Sequence, residues 1–98
     1  MNRFEIIAKL NANAATLKAR GVRHISLFGS RARGNSSDVS DIDLAVELDH
    51  AAGLSGYDIV GLEHDLEALL GARVDIVVIP VRRPSLSKEI EKDGVLAF

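Results

Sequence analysis

The stretch Ile25-Ser26-Leu27-Phe28-Gly29-Ser30-Arg31-Ala32-Arg33-Gly34-Asn35-Ser36-Ser37-Asp38-Val39-Ser40-Asp41-Ile42-Asp43-Leu44 decides the fold. It opens with a short apolar run, Ile25 to Phe28, that reads as a buried strand and stops at Gly29-Ser30. Gly29 to Arg33 reads as a tight turn and a short helix ending at Gly34, and Asn35 to Ser40 as a polar exposed loop. Asp41-Ile42-Asp43 then leads into a second strand over about Asp43 to Glu47.

Working outward, Phe4, Ile7, Leu10, Ala14 and Leu17 recur at spacings of three and four, which predicts one amphipathic helix over residues 2–20. Gly21 falls where a left-handed cap belongs. On the other side, Ser55 with Asp58 three residues on predicts a capping box. It opens a helix whose buried stripe is Ile59, Leu62, Leu66, Leu69 and Leu70, closed by Gly71. Val74 to Ile79 is rich in β-branched residues and stopped by Pro80, hence a third strand. Ser85 to Lys92 reads as a short helix with Leu86 and Ile90 inward, and Val95 to Phe98 as an apolar tail packed on the domain. Helices alternating with strands predict an α/β (α+β) domain, its helices packed on a small, mostly buried sheet.

Ninety-eight residues make one domain, 1–98, able to bury roughly 60–70% of its unfolded surface. Nearly half the residues are apolar, which excludes a disordered chain. The absence of cysteine excludes disulfides and thiolate metal sites, and fits a cytoplasmic protein. No apolar run is long enough to span a membrane, and the net charge of −2 argues against direct nucleic-acid binding. His24, His50 and His64 lack metal-ligand spacing, and the Lys88-to-Lys92 run reads as a solvated helix face. Tyr57 reads as a core residue, a partner contact or a platform for a base.

Asp41 and Asp43 point to one side of an extended chain. Two carboxylates about 4 Å apart at an effective dielectric of about 20 repel by about 4 kcal/mol, and a divalent cation removes that cost. Magnesium suits such a site, because it takes a few carboxylates, waters and phosphate oxygens. Asp75 sits in the otherwise apolar third strand, where a buried carboxylate needs a partner or a metal. Beside the second strand it becomes a third ligand. Gly29 lets backbone approach a phosphate, Ser30 adds a hydroxyl, and Arg31 and Arg33 supply positive charge.

The run Gly29-Ser30-Arg31-Ala32-Arg33-Gly34 through Ser40-Asp41-Ile42-Asp43-Leu44 resembles the minimal nucleotidyltransferase family, within the DNA polymerase β-like nucleotidyltransferase superfamily. The G-S-x10-D-x-D pattern is met without a gap, and the likeness extends from the leading helix to the Ile90-to-Val95 ending. The resemblance implies the nucleotidyltransferase fold, a mixed sheet of three or four strands flanked by helices. It implies two magnesium ions on Asp41, Asp43 and Asp75, ATP as substrate, Gly29, Ser30, Arg33 and Arg31 on the phosphates, and Asp75 as proton acceptor. Larger relatives carry a second domain for the acceptor. None is evident here, so the acceptor is expected from another molecule. Small members of this kind are antitoxins of HEPN-domain ribonuclease toxins, which implies AMP transfer to a toxin tyrosine. Neutralisation by binding alone, or transfer to a small molecule by a homodimer, are the alternatives.

Overall fold

The computed structural model describes residues 1–34, 41–80 and 82–98. The loop expected over 35–40 lies outside the described residues. Helices α1 (Arg3–Ala12) and α2 (Ala14–Ala19) lead into strand β1 (Val22–Phe28), followed by helix α3 (Gly29–Arg33) and strand β2 (Ile42–Leu48). A single 3-10 turn (His50–Ala52) precedes helix α4 (Gly56–Leu70), strand β3 (Val74–Ile79), helix α5 (Pro84–Asp93) and the two-residue strand β4 (Val95–Leu96).

The strands form one sheet in the order β3-β2-β1-β4. β1 is antiparallel to both β2 and β4, while β2 and β3 run parallel, joined across α4. The apolar tail is therefore an edge strand, and beyond it Ala97 is buried and its N–H donates to the Ile25 carbonyl at 2.8 Å. The core lies between alternate residues of the sheet (Ile25, Leu27, Ile42, Leu44, Val46) and the inner faces of α1, α2 and α4 (Ile6, Leu10, Leu17, Leu62, Leu66, Leu70).

Three local expectations change. The leading helix breaks at Asn13, whose side-chain amide donates to the Lys9 carbonyl at 2.8 Å. Asparagine amides compete with the backbone in this way. The buried stripe of α1 is Ile6 and Leu10, not Phe4 and Ile7: Phe4 is 68% exposed and lies under the Arg3 guanidinium, 5.0 Å from its ring centre, while Ile7 is half-buried. Both choices satisfy helical spacing, and only the position of the sheet selects between them. Tyr57 is 92% exposed, so its reading as core is also corrected.

The fold places three chain segments at one end of the sheet. β1 ends at Phe28, which pairs with Asp43 of β2, and Asp43 in turn pairs with Asp75 of β3. The turn into α3 therefore sits next to the mouth of β2 on one side, and the start of β3 lies on the other.

Candidate functional site: a carboxylate cluster beside a glycine turn

Asp43 is central to this arrangement. Its strand is fixed by Ile42, Leu44 and Val46, all fully buried, so the side chain between Ile42 and Leu44 must face the opposite side of the sheet. Asp75, its register partner, lies on the adjacent strand about 4.8 Å away in backbone spacing. Asp41 stands two residues earlier, exposed, just before β2 begins.

The Asp43 carboxyl is held above the usual carboxylate range. Burial is the main cause, followed by the negative charges of Asp75, Glu89 and Asp41, with Arg33 opposing them. Asp75 and Asp41, the other two aspartates named from the sequence, thus both act electrostatically on Asp43. The reason given for Asp75 is corrected: its side chain is exposed rather than buried, and what draws it into the cluster is register with Asp43. Among the described residues, no three acidic or imidazole groups already converge as a closed metal cage. The donor set is all carboxylate oxygen, which fits a hard cation such as magnesium.

Gly29 is required here twice over. Its φ is +74°, in the left-handed region, and a Cβ built on it would collide with the Asp43 Oδ2. The backbone of the β1–α3 turn is therefore packed directly on the carboxylate, and Ser30, partly exposed, follows it.

The two arginines separate. Arg33 reaches the cluster: its charge is felt at Asp43, and its Nη1 donates to Asp93 Oδ2 of α5 at 2.9 Å. Arg31 is 5% exposed and donates to the Met1 carbonyl at 2.9 Å, so it ties the N-terminal segment to α3. Both arginines and Arg3 border an open recess of about 370 Å³ that also includes Met1, Phe4 and Gly34. The histidines lie elsewhere: His24, for instance, sits 3.7 Å from Glu47 across the β1–β2 pair.

The family is recognisable over nearly the whole chain. The model of the polymerase beta nucleotidyltransferase family matches residues 9–98. The chain belongs to this family. Within it, the chain groups with the minimal nucleotidyltransferases. The protein adenylyltransferase MntA of Thermococcus cleftensis is 37% identical over 92 residues, covering 93% of this chain and 91% of that one. A solved structure assigned as a minimal nucleotidyltransferase superposes with a TM-score of 0.79 at 32% identity, over 97% of this chain and 95% of the other. A chain from a toxin–antitoxin crystal structure with AMP-PNP matches at a TM-score of 0.70 and 28% identity, over 100% of this chain and 73% of that one. The four-stranded mixed sheet flanked by helices is the nucleotidyltransferase fold, and the protein is a nucleotidyltransferase.

Two acids near the carboxylate cluster were not singled out from sequence. Glu89 adds its charge at Asp43, and Asp93 holds Arg33. Both come from α5, whose charged run reads as a solvated face. A signal was present: Asp93 continues the stripe of Leu86 and Ile90 by three residues, so it is an acid at an inward position.

Proposed function

We propose that this protein moves AMP from ATP to a hydroxyl of a partner protein, a tyrosine of a HEPN-type ribonuclease toxin, and thereby acts as its antitoxin in the cytoplasm. The single observation that carries the reading is the Asp43–Asp75 register pairing, with Gly29 packed on the Asp43 carboxylate. Similarity to an adenylyltransferase over nearly the whole chain supports AMP as the transferred group. Similarity to a chain crystallised in a toxin–antitoxin structure with AMP-PNP supports both the nucleotide and the class of partner.

Asp41, Asp43 and Asp75 would hold magnesium, two ions in the fullest form of the site. Bound magnesium supplies charge neutralisation for the triphosphate and a lowered pKa for the attacking hydroxyl. The protein's own groups do the rest. Gly29 allows close backbone approach to the β- and γ-phosphates, and the Ser30 hydroxyl donates to them. Arg33 neutralises charge on the leaving pyrophosphate, with Arg31 on the adjoining recess wall. The acceptor oxygen attacks the α-phosphorus, its proton passes to Asp75, and the bond to the pyrophosphate oxygen breaks. Residues 1–98 act as one catalytic domain, and the acceptor is presented by the partner.

The test is a transfer assay with magnesium, α-labelled ATP and the protein encoded beside this one. Label on that protein, absent with Asp41→Asn/Asp43→Asn, is the expected result. A tight complex that silences the partner without label would move the function to inhibition by binding.

A further inference from the structure

α5 reaches the site through a contact the reaction scheme leaves unused. Arg33 Nη1 donates to Asp93 Oδ2 at 2.9 Å, and the Asp93 side chain is only 14% exposed against 42% for Arg33. The acid is therefore fixed in the fold and the arginine reaches outward from it. Asp93 is the last residue of α5, and the chain turns at once into β4. That turn brings Gly94 so close to the Ile90 carbonyl that a Cβ there would clash with it. The Gly94 N–H donates to the same carbonyl at 2.8 Å. β4 then pairs with β1, the strand that delivers Gly29. Asp93 is thus anchored from both directions to the segment that carries the site.

A guanidinium has five N–H donors in a rigid fork. One bond to Asp93 orients the group and leaves other donors for phosphate oxygens. It also removes rotamer freedom before the ligand arrives, which lowers the entropic cost of binding.

We propose that Asp93 is a positioning residue for the nucleotide, holding the Arg33 guanidinium in the attitude that meets the triphosphate. The inference rests on the phosphate role assigned to Arg33 above.

It is tested with the full chain, magnesium and AMP-PNP, by calorimetric titration, beside the transfer rate and a thermal melt. Asp93→Asn, close in shape but neutral, is expected to raise the Kd by about tenfold, the low end of what outer partners of a ligand-binding group contribute. Asp93→Glu should restore part of the loss. In an Arg33→Ala background, which itself weakens binding, Asp93→Asn should change the Kd no further, because its effect passes through the arginine. Unchanged or tighter binding by Asp93→Asn overturns the inference, the latter because it would mean that Asp93 competes with the nucleotide. An equal loss in both backgrounds overturns it too, by making Asp93 a support of the helix only. Arg33→Ala binding as wild type also overturns it, while leaving the carboxylate site intact. Failure of the wild-type chain to bind AMP-PNP is a different result, which removes the nucleotide reading itself.

Discussion

Asp58 and Asp43 are the same residue in opposite surroundings. Asp58 opens α4, where it accepts from the Ser55 N–H at 2.8 Å and the Ser55 hydroxyl at 3.0 Å, while its own N–H donates back to that hydroxyl. These bonds from Ser55, backbone first, hold its carboxyl below the usual range, with Arg20 helping. Asp43 is pushed the other way by burial and by three neighbouring acids. One aspartate is satisfied by residues three positions away; the other is placed by tertiary structure in a negative field. The sheet keeps it there because the flanking Ile42 and Leu44 are committed to the core. The Asp58 carboxylate is stabilised in its charged form by bonds within its own helix turn, whereas the surroundings of Asp43 disfavour its charge.

The linkage signs follow from those directions. Asp58 contributes stability above the ordinary carboxylate pKa, and it is lost as pH falls through the lowered value. Asp43 does the reverse: its contribution is present below the ordinary pKa and is lost as pH rises through the raised value.

The contrast can be broken most severely at Asp43. Asp43→Asn should lower AMP transfer on the order of 10³-fold, the several kcal/mol a metal site supplies to a phosphoryl transition state. Asp58→Asn should leave the rate of label incorporation near wild type, and equal rates in the two variants would remove Asp43 from the chemistry. Core truncation comes next. Leu66→Ala, at a site 1% exposed, should cost about 2–5 kcal/mol in a denaturant melt, with or without magnesium. A loss that magnesium abolishes would tie α4 to the metal site instead.

Gly29→Ala sharpens the comparison by adding strain beside the carboxylate. The left-handed φ contributes about 1–2 kcal/mol and the collision with Asp43 about 1–3 more. Placing Asp43→Ala in the same chain should remove only the second part, and a fully additive pair would show that the two groups do not touch. A smaller and opposite effect is expected from Asp43→Asn on stability. Without metal at neutral pH it should raise Tm, because burial and the neighbouring acids disfavour the charged carboxylate that the variant lacks. The gain should vanish as pH falls below the carboxylate range, and magnesium should stabilise the wild type alone. A lower Tm for the variant at neutral pH would contradict the raised pKa. Smallest is the titration itself: by NMR, Asp43 should protonate above and Asp58 below the ordinary value, and magnesium should move only Asp43.

How much of this was legible in the chain divides by distance along it. The β3 strand, the α4 stripe, the Ser55–Asp58 box and the glycine turn before α3 depend on periodicity and on hydrogen bonds within a few residues, so the sequence by itself determined them. It also singled out Asp41 and Asp43, because the spacing from Gly29 to Asp43 matches the family pattern, but it did not single out Glu89 or Asp93. Tertiary structure alone decided which face of α1 is buried, since Phe4 with Ile7 and Ile6 with Leu10 are equally helical in spacing. It decided that the chain's last residues add a fourth strand. It separated Arg33, at the cluster, from Arg31, tied to Met1, and it brought Asp93 to Arg33 from the far end of the chain. These choices depend on register and packing between segments remote in sequence, where no local pattern distinguishes one arginine, or one helix face, from its neighbour.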